Sequence, residues 1–294
     1  EAKMTQEFAF GIIGGSGLYG FAGLQNVESI EVDTPFGKPS SPIVIGEIKG
    51  KKLAFLARHG IGHVLSPSEV NYRANIYAFK ELGIDKLISV SAVGSLRADY
   101  APGNIVVPDQ VFDFTKDRKR SFFGDGIVAH ISTAQPFCPK LSAQLLTALR
   151  EQDVVVHEGG TYITIEGPRF STRGESNTFR TWGMSLVGMT ASPEVFLARE
   201  AEICYATMAH VTDYDCWHVS EEPVTVEMVI NTLSHNTAVA QNTLVRMVEL
   251  ISEDDGTTTC ECDEALKYAI MTNPAKINQD TKAKLHLLVG KYLG

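Results

Sequence analysis

The chain lacks an apolar run long enough to cross a bilayer. Its start, EAKMTQEFAF, lacks an apolar core followed by a cleavage signature, so neither a spanning helix nor a secretory leader is expected. It also lacks a basic excess: 26 Lys and Arg stand against 35 Asp and Glu, a formal net charge of −9. Without a basic patch, nucleic acid and anionic membranes are not expected partners, and an anionic substrate would need a local site. Cysteines are few and odd in number: Cys138, Cys204, Cys216, Cys260 and Cys262. Scattered through a long chain, they do not read as a secreted disulfide framework, and the cytoplasm is the expected compartment. Cys260-Glu261-Cys262 has no second Cys or His pair near it in the sequence. No metal is therefore expected, while a redox or disulfide role stays open. Internal repeats, linkers and low-complexity blocks are absent from the sequence.

What is present is an alternation of strands and helices. Phe8 to Ile13 is a buried-strand pattern ending in a glycine turn, and segments 42–48 and 52–57 flank Lys49-Gly50-Lys51 as a hairpin. Ser66 or Ser68 is placed to cap a helix running to Leu82, stopped by Gly83. Further strands are expected at 87–92, 105–107, 111–114, 154–157, 161–165, 186–189 and 203–211. Helices are expected at 141–151, 175–182, 193–202 and 224–251. This pattern implies an α/β chain: a single three-layer domain with a mixed central β-sheet flanked by helices. Residues 1–7 read as an appended or disordered start, 8–252 as the domain, and 253–294 as an extension carrying the CxC pair, packing on the domain or on a neighbouring subunit.

Gly15-Ser16-Gly17-Leu18-Tyr19-Gly20 matches a dinucleotide fingerprint, but Gly20 and Gly23 break the helix that such a unit requires, and no second strand with a terminal acid follows. What remains is a turn able to aim N–H groups and the Ser16 hydroxyl at an anion. Other strand ends carry similar chemistry. Arg58-His59 offers a planar fork and an imidazole, Ser91-Ala92-Val93-Gly94 offers small residues and a hydroxyl, and Met189-Thr190 another hydroxyl. Together they suit a phosphate dianion held without metal. His59 and His63 stand four apart, but Gly60 and Gly62 between them argue against a helical zinc pair. Asp213 and Asp215 follow the strand 203–211; two residues apart on one strand they would share a face, and a carboxyl there can protonate a departing purine. A GxSxG nucleophile elbow is missing.

Taken in order, GIIGGSGLY (11–19), DTPFGKPS (33–40), ARHG (57–60), NYRANIYAFK (71–80), SAVGSLR (91–97), PFCP (136–139), TIEGPRFSTR (164–173), GMT (188–190) with PEV (193–195), and VTDYD (211–215) resemble the methylthioadenosine phosphorylase family, within the trimeric purine nucleoside phosphorylases. The resemblance implies the fold of that group and phosphorolysis of 5′-methylthioadenosine, with broader nucleoside specificity as the alternative. It implies that Ser16, Arg58, His59, Ser91, Ala92 and Thr190 hold phosphate, and that Asp213, assisted by Asp215, is the acid at the purine. Gly94, Phe170, Met189, Val229 and Ile230 would surround the nucleoside, Phe170 against the base, Met189 beside the ribose, and Val229 and Ile230 at the 5′ pocket. His130 would reach into a neighbouring subunit of a homotrimer or a hexamer built as a dimer of trimers. The partners implied are a small-molecule nucleoside and phosphate, the latter as co-substrate, with no cofactor. The Asp at 213 favours adenine, because a carboxylate pairs with an amino group and repels a 6-oxo oxygen. The CxC pair is similar to that of heat-stable relatives with extra disulfides. Gly188, which stands where other relatives have Asn, is assigned no role.

Overall fold

The structure, a computed structural model, describes residues 8–15, 23–218, 225–254, 256 and 260–293, without the side chains at 228 and 231–235. The expected start at 1–7, the Ser16 hydroxyl and the turn through Gly20 lie outside the described residues. The chain opens with β1 (Phe8–Gly14), buried throughout, then β2 (Gln25–Ile30), β3 (Ile43–Ile48) and β4 (Lys51–Ala57). Lys49 and Gly50 join β3 to β4 with φ of 51° and 72°. Two left-handed residues in succession match the twist of the antiparallel strands they connect.

The helix expected from Ser66 or Ser68 begins later, as α1 (Tyr72–Glu81), capped by Asn71, whose side chain accepts from the Ala74 N–H at 3.2 Å. The reason is local: Ser66 donates through its backbone and hydroxyl to Glu69, at 2.9 and 2.6 Å, which closes a turn there instead of a helix. Then follow β5 (Lys86–Ser95), β6 (Ile105–Val107), β7 (Gln110–Phe114), α2 (Pro139–Arg150), β8 (Val156–Glu158), β9 (Thr161–Ile165), α3 (Arg173–Thr181), β10 (Leu186–Gly188), α4 (Ala191–Glu200), β11 (Cys204–Asp213), α5 (Val226–Ser252) and α6 (Gln279–Leu293).

Among the described residues the eleven strands form one mixed sheet. The main path is β2-β3-β4-β1-β5-β10-β9-β7, and a branch leaves β5 through β11 and β6 to β8. Helices cover both faces. Ile76 and Phe79 of α1, Val195 and Leu197 of α4, and Leu285 and Leu288 of α6 pack with Ile13 and Leu56 in one core. Leu145 and Leu149 of α2 and Leu244 and Met247 of α5 pack with Phe10, Phe55, Ile88 and Met208 in another. The extension after 253 thus joins the first core, and its backbone is tied in where the Leu266 N–H donates to Glu202 at 3.0 Å. Each such buried aliphatic side chain contributes about 1.5–3 kcal/mol relative to exposure. Among the described residues no helix is long and apolar enough to cross a membrane.

Candidate active site

β5 has two edges and three neighbours. β11 runs parallel to it along one edge, pairing from Lys86 to Gly94. The other edge is shared: β1 pairs with Leu87 to Ser89, and β10 pairs antiparallel with Gly94 and Ser95. Between these pairings, from Val90 to Val93, the strands diverge and a crevice opens at the carboxyl ends of β1, β4 and β5. In open α/β sheets ligands bind at such a point.

Arg58, one residue past β4, fills the base of the divergence. Its guanidinium donates to two carbonyls the splitting strands leave, Ile13 O at 3.2 Å and Val90 O at 3.1 Å, and to Ser89 Oγ at 2.7 Å. It also forms a two-bond pair with Glu194 of α4, at 2.7 and 2.8 Å. Both side chains are almost fully buried. Burial works against the charge on Arg58, but the Glu194 carboxylate outweighs it and holds the guanidinium above its usual range. Tyr205 completes the group by donating to Glu194 at 2.6 Å. Of the five N–H groups of the fork, one on Nη1 has no acceptor among the described residues, so Arg58 can still donate to a ligand.

From Arg58 a line of hydroxyls runs outward. Ser89 Oγ lies 3.4 Å from Ser91 Oγ, which lies 3.4 Å from Thr190 Oγ1. Ser91 and Thr190, 99 residues apart in sequence, are therefore neighbours in the crevice, and both are buried. Ala92 follows on β5, opposite His210 of β11. His59 stands beside Arg58, its Nδ1 2.9 Å from the Leu65 carbonyl and its ring stacked on His63. Burial and the neighbouring Arg58 push its pKa down to about 4, so the ring is neutral. A carbonyl only accepts, so Nδ1 carries the proton and Nε2 is left as an acceptor. A bound anion would therefore meet an acceptor at Nε2, which takes only an O–H.

Asp213 ends β11 beside Gly94. A Cβ on Gly94 would come within 3.0 Å of Asp213 Oδ1, so the glycine makes room for the carboxyl. Thr212 Oγ1 donates to Asp213 Oδ2 at 2.6 Å, and the Asp215 N–H donates to Oδ1 at 2.7 Å. Burial, aided by the charge of Asp215, pushes the Asp213 pKa up to about 6 against these donors. Asp215 is raised too, by burial. The expectation that the two carboxyls sit on one strand face is overturned. β11 ends at Asp213, and Asp215 turns back with φ of 52°, which lets its amide close on the Asp213 side chain.

The remaining expected residues come from loops and one helix end. Phe170 is 40% exposed in the segment ahead of α3. A capping box holds that segment: Glu175 N–H donates to Thr172 Oγ1 at 3.1 Å and Thr172 N–H to Glu175 Oε2 at 2.7 Å. Met189 follows β10. Val229 and Ile230 lie in the first turns of α5, Val229 half-buried and Ile230 exposed. His130 is exposed, its N–H donating to Ala269 O at 2.8 Å.

Sequence reasoning missed three groups. Arg118 is buried and donates to the carbonyls of Met189, Ser192 and Glu166, at 2.6, 2.7 and 2.8 Å, tying the Met189-Thr190 turn to the segment that leads to Phe170. Nothing in Asp117-Arg118-Lys119-Arg120 distinguishes it from a surface cation. Glu194 and Tyr205 were hidden for the same reason: their partner, Arg58, lies far off in sequence. Gly188 also acquires an explanation, because a Cβ there would collide with the Tyr162 hydroxyl.

The phosphorylase superfamily model matches residues 9–249, which contain all of this crevice. The chain is similar to the S-methyl-5′-thioadenosine phosphorylase of Geobacter sulfurreducens, 52% identical over 98% of this chain and 100% of that protein. It is similar to that of Chloroflexus aurantiacus, 53% identical over 96% and 97%. Among solved structures it is similar to a methylthioadenosine phosphorylase from an Antarctic soil metagenomic library, with a TM-score of 0.91 at 46% identity, covering 97% of this chain and 99% of that one. It is also similar to the Schistosoma mansoni methylthioadenosine phosphorylase in complex with adenine, with a TM-score of 0.83 at 39% identity, covering 93% and 99%. With identity near half along almost its whole length and the same fold, the chain belongs to the phosphorylase superfamily and, within it, to the S-methyl-5′-thioadenosine phosphorylases.

Proposed function

We propose that the chain splits the N-glycosidic bond of 5′-methylthioadenosine with inorganic phosphate, giving adenine and 5-methylthioribose 1-phosphate. The observation that carries this reading is the meeting of an anion cradle on β5 and a raised-pKa carboxyl at the end of its neighbour β11. Ser91 and Gly94, the latter beside Asp213, are three residues apart on β5, about 10 Å by the rise of a strand, which leaves room for a ribose between phosphate and base.

In this scheme Arg58, Ser91, Thr190, the Ala92 backbone and Ser16 hold the phosphate, and His59 Nε2 accepts its remaining O–H. A phosphate oxygen forms a bond to C1 of the ribose as the bond to N9 breaks, and the electron pair passes to the purine. Phosphate charge steadies the cationic sugar. Asp213 in its acid form passes its proton to N7, and the carboxylate this leaves accepts from the 6-amino group, with Asp215 fixing its orientation. Phe170 packs on the base, Met189 lies beside the ribose, and Val229 and Ile230 face the methylthio group. Phosphate is a co-substrate, and no metal or organic cofactor enters the scheme.

The assembly in this reading is a homotrimer or a dimer of trimers, with His130 entering a neighbour's site. Exposed Phe112, Phe114 and Trp182, ring to ring at 6.0–6.5 Å on β7 and beside α3, support a subunit contact there. The five cysteines, odd in number and spread along the sequence, suit the reducing cytoplasm.

The test is release of adenine from methylthioadenosine with and without phosphate, with adenosine and inosine in parallel. Phosphate-dependent release, fastest with methylthioadenosine, supports the reading. Equal release without phosphate would make the chain a hydrolase and overturn it.

A further inference from the structure

Far from this crevice, the fold gathers four of the five cysteines. Cys138 caps the N-terminus of α2, Cys204 opens β11, and Cys260 and Cys262 stand where the chain leaves the polar break after α5. Their four sulfur atoms all lie within 4.8 Å of one another, with Cys204 Sγ 3.4 Å from Cys260 Sγ. Cys138 and Cys262 are buried, and Cys204 and Cys260 half-buried. The expectation of no metal rested on the isolation of the CxC pair in the sequence; in three dimensions the pair meets two further thiols.

We propose that Cys138, Cys204, Cys260 and Cys262 form a closed four-thiolate site for one structural zinc ion. Zinc–sulfur bonds of about 2.3 Å put the corners of a tetrahedron about 3.8 Å apart, the scale of the sulfur separations here. Two disulfides would need only two close pairs. Here each sulfur is within reach of the other three, as a tetrahedral ion requires. The surroundings favour thiolates. The Leu141 N–H in the first turn of α2 points at Cys138 Sγ, at 3.4 Å, and Arg199 Nη1 donates to Cys262 Sγ at 3.5 Å. Binding converts four thiols and Zn²⁺ to a zinc tetrathiolate and releases four protons to solvent, with no change of oxidation state. The complex carries two negative charges, which Arg199 and the helix terminus oppose.

The ion has a structural role by position. Cys204 and Asp213 are the two ends of β11, nine residues and about 30 Å apart, so the metal cannot touch the reacting atoms. It joins the start of the C-terminal segment to α2 and β11. Cys216, the fifth cysteine, is separate, its Sγ on the Ser171 carbonyl at 3.2 Å.

The experiment is elemental analysis of the full chain purified under reductant, beside Cys260→Ser/Cys262→Ser and Cys216→Ser. One zinc per chain is expected in the parent and in Cys216→Ser, and none in the double variant, with a lower Tm and adenine release per folded chain retained. If the double variant does not fold, Co²⁺ alone added to the reduced, chelator-stripped parent gives the readout. An intense thiolate-to-cobalt band with tetrahedral d–d bands, and loss of alkylation at four of the five cysteines, are expected. An intact mass four hydrogens light, marking two disulfides, or zinc-free protein that shows no cobalt bands and alkylates at all five cysteines, would overturn the proposal.

Discussion

The amide of Asp215 donates to the carboxyl of Asp213 at 2.7 Å, a contact made possible by the left-handed turn at Asp215. One carboxyl is thus oriented by the backbone of another acidic residue, while its second oxygen is held by Thr212. Burial overcomes both donors and keeps the Asp213 pKa near 6. An acid with that value is partly protonated close to neutrality, which is what proton delivery to a leaving purine demands.

It follows that kcat/KM for methylthioadenosine should fall as pH rises through about 6, where Asp213 loses its proton. Asp213→Asn should lower kcat by roughly 10²–10⁴ and remove that limb from the profile. The same group sets a stability trend. Its folded pKa, about 6, lies above its ordinary value of 3.8, so the folded state holds the proton more tightly. That stabilisation is present in full below 3.8 and is lost as pH rises through 6. Relative to the parent, the Asn variant should therefore gain up to about 3 kcal/mol between pH 3.5 and pH 8, read from denaturant unfolding at each pH.

The Arg58–Glu194 pair makes a different prediction. Glu194→Gln leaves a buried guanidinium without its counter-charge, at a cost of about 3–5 kcal/mol. Phosphate would then become the counter-charge. The Tm of the variant should fall, and saturating phosphate should raise it more than it raises that of the parent. Equal phosphate shifts in the two proteins would separate Arg58 from phosphate binding.

His59 distinguishes anions by their protons. With Nδ1–H committed to Leu65, Nε2 can accept the O–H of hydrogen phosphate and has nothing to gain from sulfate. Sulfate should inhibit with an affinity at least roughly tenfold below that of phosphate, from one unmade buried hydrogen bond. His59→Gln, which can donate, should narrow the gap; inhibition constants for both anions in both proteins decide it.

Gly94→Ala tests the room made for the acid. The new methyl would meet Asp213 Oδ1 at 3.0 Å, Val187 Cγ1 at 3.1 Å and Asp215 Cβ at 3.2 Å. Overpacking of this kind costs about 1–3 kcal/mol of stability. Because the displaced atom is the acid, kcat should fall by at least about tenfold while the KM for phosphate holds, since a misplaced proton donor forfeits its general-acid contribution.

Much of the fold was legible because local signals agree with it. The hairpin at Lys49-Gly50 has positive φ at both residues, and Gly50, which adopts it freely, is the signal the sequence carries. The helix start misled because Ser66 and Ser68 are cap residues by type, and here Ser66 closes a turn with Glu69 instead. At the site, strand-end hydroxyls and the Arg-His pair could be picked out residue by residue. What Arg58 does with its fork could not, since Glu194 lies 136 residues further on. Nor could Asp215's turn, which places it off the strand that its spacing suggested.

By itself, then, the sequence determined which segments become strands and helices and which residue types stand at strand ends, because those depend on periodicity, turn chemistry and side-chain identity within a few residues. Only the tertiary structure decided how β1 and β10 divide one edge of β5, which hydroxyls meet in the resulting crevice, which nitrogen of His59 is spent on a carbonyl, and that four cysteines from three distant segments converge. Those outcomes depend on strand pairing and packing between residues dozens to more than a hundred positions apart, and no local pattern encodes such a distance.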